Sequence, residues 1–317
     1  MDHVSSASEH DARVKQSARP SVWRDYLTIT KPGIIGGNTI AVMGGYFLAA
    51  RGQIDPLQLL ATLIGLGLVI ASGCAYNNVI DRDIDALMAR TRNRPLVQGR
   101  LSVAGVLSFA TLVGLAGFGL LAAFTNSLTV GLALFGFFIY VGVYSLYMKR
   151  QSIHGTLVGS LSGAMPPVVG YCAVSGQFDL GALALLLIFC IWQMPHSYAI
   201  AIFRFKDYQA ASIPVLPVVR GLKTARQHML GYTLAFTVAV MVLSFTGYTG
   251  PIYGVIALLM SLYWVYLTMK GFRTTQPESW ARKVFGFSIL IIVALSLLMS
   301  LDAKEPYTAI SMLAFLG

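Results

Sequence analysis

The run Asn77-Asn78-Val79-Ile80-Asp81-Arg82-Asp83-Ile84-Asp85 sets two amides beside three carboxylates. If one helix continues through it, Asp81 and Asp85 lie one turn apart on a shared face, with Asn77 and Asn78 a turn earlier. Mg2+ takes oxygen ligands, usually one or two carboxylates completed by substrate phosphates and water. Asp81, Asp85 and Asn78 are therefore candidate metal ligands, and with Asn77 they form the candidate catalytic group. Asp83 points off that face and is expected to pair with Arg82 or a neighbour. A solvated charged helix end, balanced by arginines, is the bland alternative.

Cations follow. Arg90-Thr91-Arg92-Asn93-Arg94-Pro95-Leu96 comes directly after the acidic run. Arginine reads phosphate through paired hydrogen bonds, so acids followed by arginines fit a metal-bound polyphosphate. Arg94, held by Pro95, is the candidate diphosphate ligand, whereas Arg90 and Arg100 read as topology determinants. Lys149 and Arg150 close the run Tyr144-Ser145-Leu146-Tyr147-Met148-Lys149-Arg150 and serve either purpose. Tyr144 and Tyr147 are an interfacial aromatic pair or face a developing cation. Further along, Gln193 and His196 stand at i and i+3 inside an apolar stretch. Polar groups at that depth are costly and read as functional, although an interhelical hydrogen bond by His196 is the simpler role. Arg204 and Asp207 repeat the i, i+3 spacing, either as an ion pair or as a second phosphate and metal arm.

These residues must be positioned by membrane-spanning helices. The 317-residue chain is 56% hydrophobic and only 11% charged, against about 25% charged in a soluble domain. A soluble globular fold is excluded on that ground. A span needs about 20 apolar residues, and nine stretches qualify: 34–50, 57–77, 103–124, 128–148, 156–174, 180–203, 228–246, 251–269 and 284–301. The fifth carries Pro166-Pro167; such a helix can be kinked but survives if neighbouring helices satisfy the freed carbonyls. The stretch 309–316 is too short to cross. With nine spans, all but Arg51 and Lys304 of the 23 Lys and Arg fall on one side. The positive-inside rule makes that side cytoplasmic, with the amino terminus on it. The net charge of +10 is thereby explained without a nucleic-acid partner. Cys74, Cys172 and Cys190 lie inside spans without metal-ligand spacing, so neither a disulfide framework nor a zinc site is expected. Residues 1–30 read as a cytoplasmic tail with a short interfacial helix near 23–27, 31–303 as one transmembrane domain, and 304–317 as a second tail. The two longest connections, about 80–102 and 204–227, follow the second and sixth spans and hint at a duplicated four-helix unit.

The acidic run with its Arg-Pro-Leu segment resembles the first aspartate motif of the UbiA-type intramembrane prenyltransferases. Thr30-Lys31-Pro32-Gly33 through Asn38, Tyr144–Arg150, Gly163–Gly170, Gln193–Tyr198 and Arg204–Pro217 resemble the haem O synthase branch in particular. The likeness runs from about Tyr26 to Leu301. It implies an all-α helical bundle in the bacterial inner membrane. It also implies transfer of farnesyl from farnesyl diphosphate to a vinyl group of haem B with addition of water, dependent on Mg2+, with a terminal oxidase or haem A synthase as product acceptor. His196 and Gln193 are then candidates for contacting haem, through iron or a propionate. Other members carry a second aspartate-rich motif after the sixth span; here Arg204-Phe205-Lys206-Asp207-Tyr208 holds a single acid. That departure argues against the runner-up, a transferase acting on a quinone precursor. A transporter would need acids near mid-membrane, and the mid-span regions have none.

Overall fold

The computed structural model describes residues 21–306. Twelve helices follow in order: α1 Val22–Ile29, α2 Pro32–Ala50, α3 Pro56–Ile80, α4 Arg82–Leu87, α5 Val103–Phe124, α6 Ser127–Gln151, α7 Gly155–Ser175, α8 Leu180–Phe203, α9 Phe205–Ala210, α10 Leu216–Phe245, α11 Pro251–Lys270 and α12 Pro277–Leu301. Among the described residues nine are long and apolar enough to cross a membrane: α2, α3, α5, α6, α7, α8, α10, α11 and α12. The chain is a multi-pass all-α membrane protein. Most of the expected amino-terminal tail, and the stretch 309–316, lie outside the described residues.

Helix starts follow from local chemistry. Asp55, Ser102, Asn126 and Asp179 each turn a side-chain oxygen onto amides of the first turn of α3, α5, α6 and α8, satisfying donors that no helix can. Pro begins α2, α3, α11 and α12, where its missing N–H costs nothing. Leu112, Leu115, Val238 and Leu259 are exposed, as lipid-facing positions are when water does not bathe them.

Packing between spans relies on small residues. At Gly45 of α2 and Gly170 of α7, a Cβ would run into the backbone carbonyls of Pro167 and Val42 respectively. The two helices thus touch main chain to main chain. Ser72 of α3 donates to the Ala110 carbonyl of α5 at 2.7 Å. Beside it, Gly114 leaves room that a Cβ would take, 2.8 Å from the Ser72 hydroxyl.

Several boundaries differ from the sequence reading. α12 begins at Pro277, well before the apolar stretch at 284, and α10, which opens at Leu216, breaks at Gly221 (φ 80°, ψ 168°) and resumes ahead of the apolar stretch at 228. Their first turns carry Arg220, Lys223, Arg226, Arg282 and Lys283, which hydropathy assigns to loops but which helices at an interface accommodate. α7 runs unbroken through Pro166-Pro167. The helix through the acidic run, by contrast, is interrupted: α3 stops at Ile80, Asp81 has φ −88° and ψ 2°, and α4 restarts at Arg82. The connection after α8 is built in parallel, with Arg204 at φ −111°, ψ 22° before the short α9. The two connections meet, burying Ile84 and Met88 against Ala211 and Ile213.

Candidate active site

Between α2, α3, α6, α7, α8 and α12, under the two connections, lies a cavity of about 720 Å³. Its polar end is built by the acidic run. Asp81 and Asp85 are each only 1% exposed. Although the helix breaks at Asp81, the Asp85 amide still donates to the Asp81 carbonyl at 2.8 Å, so the one-turn spacing survives and both carboxylates line the cavity. Lys149 pairs with Asp81 and Arg94 with Asp85. The Asn77 amide donates to Asp81 Oδ2 at 2.8 Å and to Ser145 Oγ at 3.1 Å.

Sequence reasoning left Lys31 among the topology determinants. Its Nζ donates to Asn77 Oδ1 at 2.7 Å, and the residue has φ 54°, ψ 67°. A non-glycine residue in that region is held there by its surroundings and often marks a site. Burial, reinforced by Arg94 and Lys149, pushes the ammonium down to about 8 despite opposing pulls from Cys74 and Asp81. The stretch Thr30-Lys31-Pro32-Gly33 carries part of the family resemblance, but neither its positive φ nor its contact with Asn77 is displayed by the sequence. Arg90 also lines the cavity, against its reading as a topology residue. Tyr208 of α9 joins the same wall.

Tyr140, Tyr144 and Lys149 reach the cavity through an irregularity in α6, whereas Tyr147 is exposed and off its wall. Residues Ile139–Met148 form a π-helical stretch. Such helices close i→i+5 bonds and widen each turn. Tyr140, Tyr144 and Lys149, spaced by four and then five, consequently all face the cavity. In an α-helix the nine steps from Tyr140 to Lys149 make about two and a half turns, which puts the ends on opposite faces.

Four candidates lie elsewhere. Asn78 is buried but donates to the carbonyls of Ile29 (3.1 Å) and Cys74 (2.8 Å), and is absent from the cavity wall. Successive helical positions differ by about 100°, and Asn77 rather than Asn78 follows the face of Asp81. Arg150 turns outward, gripping Asp83 at 2.6 and 2.7 Å and the Ile80 carbonyl. That hydrogen bonding holds the Asp83 carboxyl down to about 2. Arg204 lies over the Phe203 ring at 5.6 Å. It does not join Asp207 among the ion pairs of the described residues, and neither lines the cavity.

The far end is apolar and aromatic: Phe137, Phe189, Trp192, Phe285 and Ile289 line it, with Gln193 and His196. A Cβ on Gly163 would lie 2.8 Å from Gln193 Oε1, so that glycine makes room for the amide. His196 and Arg204 are separated by about two helical turns, so His196 sits roughly 12 Å deeper at 1.5 Å per residue.

The residues at the polar end fit a divalent cation. Asp81 Oδ1 is buried with no hydrogen-bond partner, and a buried orphan of that kind is expensive. Two carboxylates on one wall suit Mg2+ completed by phosphate and water. A buried acidic pair, four cations (Lys31, Arg90, Arg94 and Lys149) and an apolar pocket share one cavity, an arrangement that suits a ligand with an anionic head and an apolar tail. A profile of the UbiA prenyltransferase family matches residues 38–301.

The chain belongs to the UbiA prenyltransferase family.

Membership of the UbiA family makes it an intramembrane prenyltransferase. It is 58% identical over 289 residues to the protoheme IX farnesyltransferase of Chromohalobacter salexigens, covering 91% of this chain and 98% of that one. It is 60% identical over 277 residues to protoheme IX farnesyltransferase 2 of Pseudomonas aeruginosa strain PAO1, covering 87% and 94%. Solved structures share the UbiA fold at low identity. A digeranylgeranylglyceryl phosphate synthase superposes with TM-score 0.73 at 17% identity over 88% of this chain and 98% of its own. A UbiA homologue from Archaeoglobus fulgidus bound to GPP and Mg2+ gives 0.64 at 15% over 87% and 99%.

Proposed function

We propose that the chain transfers the farnesyl group of farnesyl diphosphate to a vinyl group of haem B, with addition of water, giving haem O and diphosphate. The observation that carries this reading is 58% identity to a protoheme IX farnesyltransferase across 98% of that relative's length. The cavity supplies the chemistry. Asp81 and Asp85 would hold Mg2+, which when bound neutralises diphosphate charge and makes it a better leaving group. Lys31, Arg90, Arg94 and Lys149, all on the wall, hold the phosphate oxygens where charge builds as the allylic C–O bond breaks. Tyr140 and Tyr144 stand between that end and the apolar end, their rings stacked at 6.3 Å. Aromatic faces there stabilise an allylic cation, and the apolar lining keeps water away until the vinyl group has attacked. Phe137 and Ile70, which line the same cavity, would flank the farnesyl chain.

The test is direct. The purified protein, given haem B, farnesyl diphosphate and Mg2+, should form a product heavier than haem B by one farnesyl and one hydroxyl group. Chelation of the metal should suppress that product. Formation of a prenylated quinone precursor but no prenylated haem would overturn the assignment.

We also place the enzyme in the bacterial inner membrane with the acidic run on the cytoplasmic side, because all but two of its Lys and Arg lie on that side in a nine-span arrangement. Single cysteines at residues 126 and 178, in a cysteine-free background, should label only from the periplasmic face, and one at residue 92 only from the cytoplasm. Labelling of residue 126 from the cytoplasm would refute this orientation. The same orientation would let haem O pass to a terminal oxidase or haem A synthase in the same bilayer.

A further inference from the structure

The apolar end of the cavity holds one imidazole whose protonation is fixed by its neighbours. His196 Nδ1 lies 2.7 Å from Ser288 Oγ of α12. The same hydroxyl lies 2.6 Å from the Phe285 carbonyl. A carbonyl only accepts, so the single hydroxyl hydrogen of Ser288 is committed to Phe285. The remaining contact then requires a hydrogen on His196 Nδ1, with Ser288 Oγ accepting it. None of the ion pairs among the described residues involves His196, and a charged ring there would lack a counterion, so the ring is neutral. Its lone pair therefore resides on Nε2. The rings of Trp192 (centroids 4.6 Å apart) and Phe285 (4.8 Å) pack against it, and Ser288 takes the Nδ1 edge. His196 lines the cavity, and Nε2 is the ring nitrogen that no protein group engages, which makes it the atom free to meet a ligand there. Trp192 is itself pinned to the Ser288 carbonyl through its indole N–H at 2.8 Å.

We infer that His196 Nε2 would ligate the iron of the haem substrate, and that Ser288 is the positioning residue that fixes the tautomer. An unprotonated Nε2 cannot donate to a propionate, which removes the alternative role for this histidine. A ligating histidine commonly gives its other N–H to such a partner, and loss of that partner costs about 10- to 100-fold in metal affinity. The inference rests on haem being the acceptor substrate.

The experiment is a haem B titration of the detergent-purified full chain, followed by absorption spectroscopy. Wild type should bind haem with a histidine-ligated spectrum. His196→Ala should lose that spectrum and regain it on addition of imidazole. Ser288→Ala should weaken haem affinity about tenfold or more and shift the iron bands, while Ser288→Thr, which keeps the hydroxyl, should stay near wild type. Farnesyl diphosphate affinity, measured in parallel, should hold in all variants and certifies their folding. An unchanged spectrum in His196→Ala, or unchanged affinity and bands in Ser288→Ala, would overturn the inference while leaving the proposed activity intact. A wild-type protein that binds no haem would overturn both.

Discussion

Asp81→Asn and Asp85→Asn are each expected to cut turnover by about a hundredfold to a thousandfold while the protein still inserts and purifies. Asparagine keeps the shape and loses the charge. The variant therefore gives up metal affinity and electrostatic support of the leaving diphosphate, which together are worth several kcal/mol. Folding should survive because asparagine keeps an amide oxygen as acceptor for Lys149 or Arg94, the partners of Asp81 and Asp85. The neighbouring Asp83 supplies the contrast. Its side chain is 66% exposed and held by Arg150, outside the cavity, so Asp83→Asn should change turnover by less than about threefold, as exposed ion pairs contribute little. Single-turnover rates across a Mg2+ titration read both effects. Near-wild-type rates in a folded Asp81→Asn protein would remove the carboxylates from the mechanism.

Gly170→Ala and Gly45→Ala should each lower thermal stability in detergent by several degrees, and Gly170→Leu should prevent accumulation altogether. The added Cβ meets backbone carbonyl at both positions. A flexible neighbour could swing aside, but a peptide unit can only move with its helix. Overpacking of this kind costs about 1–3 kcal/mol per site even where some relaxation is possible. Gly119 of α5 is the internal standard: nothing lies within 4 Å of its hypothetical Cβ, and Gly119→Ala should be neutral or mildly stabilising because alanine is the better helix former. Melting curves of the three alanine variants side by side decide the matter. Equal melting temperatures would mean that the α2–α7 crossing is looser than described.

The sequence made the spans, the acidic pair and Arg94 legible because each announces itself locally, through runs of apolar residues or through charge at one-turn spacing. Lys31 was not legible as part of the site. Its side chain meets Asn77, 46 residues away, and only the folded crossing of α2 past the end of α3 brings them together. Asn78 misled for the opposite reason. Adjacent amides look equivalent on paper, but one helical step separates a group that serves Asp81 from one that satisfies backbone carbonyls. Arg150 and Lys149 divided in the same way, one outward to Asp83 and one inward to Asp81. Ser288 carried no signal at all, since a serine in an apolar helix is ordinarily spent on its own backbone.

The widened turns of α6 make alignment in that helix a matter of counting. A regular helix keeps any one face only by steps of three or four; here a step of five is allowed, and a tyrosine pair and a lysine that would otherwise diverge share one wall. Every residue after the stretch is thereby rotated relative to every residue before it. A change in length by one position inside Ile139–Met148 would leave an apolar span as capable of crossing the bilayer as before. It would also turn Lys149 away from Asp81 and bring a different neighbour into its place. In this segment, then, chain length is itself a determinant of which charge the substrate meets, separate from the identity of any side chain.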